Sequence, residues 1–277
     1  MDVNKHVCFR AEQEPMLISF LQENGIAYDQ GEIITSFDIL QSNQHWQDIS
    51  RYIADRALFC ISNTVFTESE LSSAQWLTLR SQWRCGYPQP EAAFRYEQIT
   101  YSKSGHCEVC GSGLIQNCEF RIKKTPKWGK RHFMMLNWVA DELFLDDYAK
   151  CILEKEGLTG ISFRQVLNSN GKTVLPDINQ LVIPNTLPLG LVPEEPTVDQ
   201  IVPCKACGCT KYHTCGIGML KYKKEVFEGA PDVVKTSEIY GWGHSASRLI
   251  ILNQKMYQTI LKNKLDRGLV FEPLQLV

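Results

Sequence analysis

Cysteine is the residue type in this chain that most clearly carries chemistry. Eleven are present, and four of them form two copies of one pattern: Cys107-Glu-Val-Cys110-Gly111 and Cys204-Lys-Ala-Cys207-Gly208. An odd number of cysteines, in a chain whose opening residues are not expected to be a secretory leader, argues against a disulfide framework and for metal ligation. Two CxxC turns supply four thiolates, the set that closes a tetrahedral structural zinc site. The glycine after each second cysteine suits a tight knuckle, where positive φ turns backbone N–H groups toward the sulfurs. The simplest expectation is one structural zinc per chain, held by Cys107, Cys110, Cys204 and Cys207 and contributing directly to folding. A local alternative gathers Cys204, Cys207, Cys209, His213 and Cys215 within twelve residues, with His106 and Cys118 completing another site around Cys107 and Cys110. Otherwise Cys118, Cys209 and Cys215, like Cys8, Cys60 and Cys151, read as small buried hydrophobes.

Catalytic patterns fare less well. His106-Cys107-Glu108 followed by Pro203-Cys204-Lys-Ala-Cys207 spells a zinc deaminase signature, in which glutamate moves protons and the metal activates water. The two parts stand 94 residues apart, however, and Glu108 leads into Val-Cys-Gly-Ser-Gly, a turn rather than a helix. A redox CxxC would open an amphipathic helix, and neither pair does. Gly171-Lys172-Thr173 has Val166 where a phosphate loop needs glycine, so it reads as a plain turn. The expectation is a protein that is not an enzyme. One charged stretch remains. Arg121, Lys123, Lys124, Lys127, Lys130 and Arg131 surround Trp128, and Lys221-Tyr-Lys223-Lys224 echoes it. Cations interleaved with an aromatic ring can grip a nucleic-acid backbone and stack a base, or face an acidic protein.

The elements that must position these residues fall into an α+β arrangement. Residues 1–100 read as an N-terminal α/β unit. It has a helix over Glu12–Glu23 carrying Met16, Ile18, Phe20 and Leu21, and a short buried strand at Ala57–Ile61. A second helix is expected over Glu68–Trp83, opened by a capping box at Thr67 and Glu70. Residues 101–277 read as a duplicated zinc-knuckle module, with copies at about 101–167 and 204–277. Glu142–Phe163 and Arg248–Phe271 both run strand, helix, glycine turn, strand. Their G-x-x-F ends lie 108 positions apart and the cysteine pairs 97 apart. The second copy therefore needs about 11 extra residues, for which Glu225–Pro231 is the natural place. A proline-rich crossover joins the copies, ordered because Ile183, Leu187, Leu189 and Leu191 call for burial.

Composition bounds the rest. The 277 residues carry 29 basic and 31 acidic side chains, a net charge of −2 that provides no global field for nucleic acid or anionic lipid. No run approaches the roughly 20 apolar residues of a membrane span. The opening MDVNKHVCFR reaches charge before any apolar stretch, so the expected location is the cytoplasm.

The two CxxCG pairs, with Glu156–Phe163 and Gly268–Pro273, resemble the bacterial double-CXXCG motif proteins over roughly residues 100–277. Some members of that family are assigned as immunity proteins, which neutralise a toxin delivered by a neighbouring cell. The resemblance implies a non-enzymatic protein-binding protein with zinc as a structural staple and a toxin as partner. The alternative is a zinc-ribbon nucleic-acid binder using Arg121–Arg131.

Overall fold

A computed structural model describes residues 1–277, which divide into two compact units: Met1–Glu70 with Thr214–Gly218, and Leu71–His213 with Met219–Val277. The first unit runs β1 (Asp2–Phe9), α1 (Pro15–Glu23), β2 (Tyr28–Gln30), β3 (Thr35–Leu40), α2 (Trp46–Arg56) and β4 (Phe59–Val65). Its antiparallel sheet has the order β2-β3-β1-β4, the split β-α-β arrangement repeated twice. Alternation along β1 and β3 turns Val7, Phe9, Phe37 and Ile39 toward Leu17, Leu21 and Ile49 of the helices. Pro15 opens α1, where its missing N–H costs nothing. Met16 is 70% exposed rather than part of the apolar face. The expected buried strand is instead an edge strand. β4 sends Phe59 and Ile61 outward, 63% and 50% exposed, because the helices cover only the opposite face of the sheet.

The capping box forms as read: Glu70 N–H donates to Thr67 Oγ1, and Glu70 Oε2 accepts from Thr67 N–H. The helix it opens, α3 (Glu68–Ser73), stops ten residues short of the expected end, and Trp76–Ser81 is a strand, β5. Leu77 and Leu79 share one face of a strand, whereas a helix would turn them to opposite sides. Pairing on both edges decides for strand, a tertiary influence that propensity does not carry. The unit boundary accordingly falls at Glu70 rather than near residue 100.

The second unit is built from two equivalent halves. Leu143–Leu145, helix Asp147–Lys155 and Ser162–Asn168 form one strand–helix–strand segment; Ile250–Asn253, helix Gln254–Lys262 and Leu269–Pro273 form the other. In each, an antiparallel strand is inserted between the two flanking strands. The inserted strand is Val174–Val182 in the first case and β5 in the second. The registers match position for position. Leu181 lies between Leu143 and Phe163, and Leu79 lies between Ile250 and Phe271. Outer strands match too, with Met134 opposite Phe144 and Val234 opposite Ile251. So do the helix caps, where Asp146 accepts from Ala149 N–H and Asn253 from Met256 N–H. In chain order each half begins with its central strand, yet that strand completes the other half's sheet. The exchange is reciprocal, the relation that a two-fold axis imposes on a pair of copies. One core results, in which Leu79, Leu143, Leu153, Leu181, Ile250 and Ile260 pack together.

Arg121–Met135 matches Lys221–Lys235 residue for residue through these pairings, so Glu225–Pro231 holds no insertion; Lys224–Phe227 is a short 3-10 turn that buries Phe227. Most of the extra length lies between Lys235 and Ile250, where 236–249 replaces the shorter 136–142. In the crossover Ile183 and Leu187 are buried, while Leu189 is exposed. No helix of the chain is long and apolar enough to cross a membrane.

Candidate metal centre

Both CxxCG turns fold the same way. Cys107 N–H donates to Ser112 O and Gly111 N–H to Cys107 O, each at 2.8 Å; Cys204 N–H to Cys209 O and Gly208 N–H to Cys204 O repeat both bonds at the same length. Gly111 and Gly208 hold φ of 79° and 75°, the left-handed region where a side chain is strained. The copies bring equivalent cysteines face to face, with Cys107 Sγ 3.9 Å from Cys204 Sγ and Cys110 Sγ 3.6 Å from Cys207 Sγ. All four sulfurs lie within 4.8 Å of one another, and Cys107, Cys110 and Cys204 are buried while Cys207 is exposed. Four sulfurs so placed can hold a metal ion.

The local field favours thiolate at some of these positions and opposes it at others. Burial pushes the Cys110 thiol up, but the Ser112 hydroxyl and N–H, with the Cys207 and Cys107 thiols, outweigh it and hold it down at about 6. Backbone N–H groups of Cys207 and Ala206 lower Cys204. Cys207 is lowered by the Cys209 N–H, yet burial and the Cys107 and Cys110 sulfurs carry it up to about 11. Sulfurs this close cannot all ionise without a cation between them.

The long 236–249 segment closes over the first knuckle. A Cβ on Gly111 would collide with the His244 carbonyl oxygen, so Gly111 meets both a conformational and a steric demand; nothing lies within 4 Å of a Cβ on Gly208. Lys211, 3% exposed, donates to Cys110 O at 3.1 Å, to Ser245 O at 3.0 Å and to Gly243 O. Its ammonium thus ties the knuckle to the covering segment and sets a positive charge at the Cys110 carbonyl. Sequence reasoning missed Lys211, because an isolated lysine on the strand Thr210–Thr214 carries no local sign that it will be buried.

The remaining candidates separate. Cys209 packs against the cluster at the position equivalent to Ser112, and His213 lies apart from the four sulfurs, its ring on Trp242 at 3.6 Å between centroids. His106 directs Nδ1 to Ser112 O, and Glu108 is exposed. Cys118 and Cys151 are exposed and Cys8, Cys60 and Cys215 half-buried, so none is the fully buried hydrophobe expected. In the basic stretch Lys123, Lys124, Lys127 and Lys130 are exposed. Trp128 is buried, donating Nε1–H to Asp177 O and packing edge-on against Trp83, so its ring cannot stack a base. Arg131 lies over Trp83 and Arg121 against Gly171, both half-buried. Comparison of the sequence with models of known families and with curated proteins finds no match.

Proposed function

We propose that this chain is a non-enzymatic, cytoplasmic protein-binding protein of the double-CXXCG kind, held together by one structural zinc ion and acting as an immunity protein against a toxin. The zinc assignment is supported by spacing. Zinc–thiolate bonds of about 2.3 Å put tetrahedral sulfurs about 3.8 Å apart, close to the two cross-copy distances. Four protein ligands leave no open position for water or substrate, which favours a staple over a reaction centre. The ion would be held by Cys107, Cys110, Cys204 and Cys207, joining the two copies across their axis.

The observation that carries the binding reading is the open face of the N-terminal sheet. Strand registers put Asp2 and His6 of β1, Asp29 of β2, Asp38 of β3 and Phe59 and Ile61 of β4 on the side away from the helices. That face has three carboxylates and no lysine or arginine. The unit as a whole counts eleven acidic against four basic residues, and the rest of the chain twenty against twenty-five. Exposed apolar side chains among carboxylates suit a protein partner with a basic rim and an apolar centre. The cationic stretch, with Trp128 in the core, gives less support to nucleic-acid binding.

The test is titration calorimetry against the toxin-like product of an adjacent reading frame, using wild type and Phe59→Asp/Ile61→Asp. Binding that the double substitution weakens at least a hundredfold supports the reading, since buried apolar anchors carry about 2 kcal/mol or more each. Full-strength binding by the double variant contradicts it.

A further inference from the structure

Beside the four cysteines the second unit lines an open cavity of about 310 Å³. Asp141 and Glu142 of the first copy and Lys235 and Arg248 of the second line it together. The duplication supplies an internal control for these charges. By the strand registers the equivalent of Lys235 is Met135, that of Glu142 is Leu249, and Arg248 answers to Asp141. The same backbone is therefore compatible with methionine and leucine where the cavity has a buried lysine and glutamate. Buried ion pairs are seldom worth more than well-packed apolar side chains, so packing does not account for the charges.

Glu97 also lines the cavity, 4.0 Å from Lys103, and three of the other four charges satisfy one another. Lys235 donates to Glu142 Oε1 at 2.6 Å and lies 3.9 Å from Asp141; Gln180 Nε2 completes Glu142 at 2.9 Å. Arg248 is different. Its backbone N–H donates to Asp141 Oδ2 at 3.4 Å, but no carboxylate pairs with its guanidinium, whose Nε is buried with no hydrogen-bond partner. An unanswered guanidinium N–H beside an open cavity is a charge-assisted donor for an oxyanion.

The cavity also has an aromatic edge. Trp138 lines it, 43% exposed, and packs on Phe94 and Tyr87 with ring centroids 4.5 and 4.6 Å away. Trp138 and Phe94 hold φ of 69° and 53°, a left-handed conformation costly for bulky side chains. Packing keeps Trp138 in this conformation with an exposed ring beside the charged cavity, where a flat group could lie against it.

We infer that this cavity is a binding site for a small molecule carrying an oxyanion on a flat ring, the anion on Arg248 and the ring against Trp138. The site is separate from the open sheet face and stands or falls independently of the immunity reading.

Calorimetry of the full, zinc-loaded chain with inorganic phosphate, benzoate and adenosine monophosphate tests it. Saturable one-site binding is expected, with at least one ring-bearing probe tighter than phosphate; tighter benzoate identifies a carboxylate ligand and tighter nucleotide a phosphate ligand. Arg248→Met should weaken every probe about tenfold or more, the loss of one charge-assisted bond. Trp138→Gly removes the ring and the strain together. It should weaken the ring-bearing probes about fivefold and leave phosphate unchanged. No saturable binding of any probe at millimolar concentration overturns the inference, as does binding that Arg248→Met leaves intact. Should Arg248→Met fail to fold, Trp138→Gly decides: ring-bearing probes bound at wild-type strength would overturn the site.

Discussion

Gly111 and Gly208 occupy equivalent turns, yet they meet different demands. Both have positive φ, but only Gly111 has the His244 carbonyl where a Cβ would stand. Gly208→Ala should cost about 1–2 kcal/mol, the penalty for a left-handed alanine. Gly111→Ala should cost clearly more, because backbone must move, and denaturant midpoints at unchanged slope would measure the difference. Equal losses would mean that the covering segment does not press on the knuckle. Lys211 supplies a second residue-scale prediction. Lys211→Met keeps the length of the side chain but removes three donated bonds to Cys110, Gly243 and Ser245. It should speed zinc transfer to a chelator at least tenfold while leaving stoichiometry at about one, since second-layer partners commonly change metal affinity by that much. These two residues also mark the limits of the sequence. The cysteine spacing is legible because ligand chemistry is local, whereas Lys211 depends on a segment more than thirty residues away. Trp128 misleads for the opposite reason: lysines around a ring suggest solvent, but alternate residues of an extended stretch face opposite ways.

Helices and caps are the most legible elements, since their signals lie within a few residues, as Thr67 with Glu70 and the paired segments ending at Phe163 and Phe271 demonstrate. Strand destinations are not. Nothing in Trp76–Ser81 states that it joins strands beginning at Ile250 and Leu269, although Leu77 and Leu79 do carry the two-residue period of a strand. The buried pair between the copies gives a prediction at this scale. Glu142→Leu with Lys235→Met installs the residues found at the equivalent positions, and the double variant should be as stable as wild type or more so. Lys235→Met alone should lose about 3–5 kcal/mol by stranding a buried carboxylate. Thermal melts of the three chains check it. Asp232 links the copies elsewhere, accepting from Thr159 N–H at 2.7 Å, Thr159 Oγ1 at 2.8 Å and Asn253 Nδ2 at 2.8 Å. Burial pushes its carboxyl up, but these donors and Lys255 outweigh it and hold it below its usual value. A depressed carboxylate contributes stability above its unfolded pKa of about 3.9, and that stability disappears as pH falls through the lower folded value. The stability difference between wild type and Asp232→Asn should therefore be full above about pH 5 and shrink at more acid pH. A difference independent of pH would contradict the assignment.

At the scale of the whole molecule, charge and symmetry divide the labour. The N-terminal unit holds the acidic excess and an open sheet face, and the second unit holds the paired halves, the four close cysteines and the charged cavity. Reciprocal exchange of central strands means that neither half has a complete sheet without the other, and the four cysteines of the two equivalent turns lie within 4.8 Å of one another. Loss of one ligand should accordingly unfold both copies together. The most direct measurement is zinc per chain, with circular dichroism, on wild type, Cys107→Ser and Cys204→Ser. About one zinc in wild type, lost in either variant together with cooperative structure, is the predicted result. Zinc retained by Cys107→Ser would contradict the shared site and place the metal within residues 204–215.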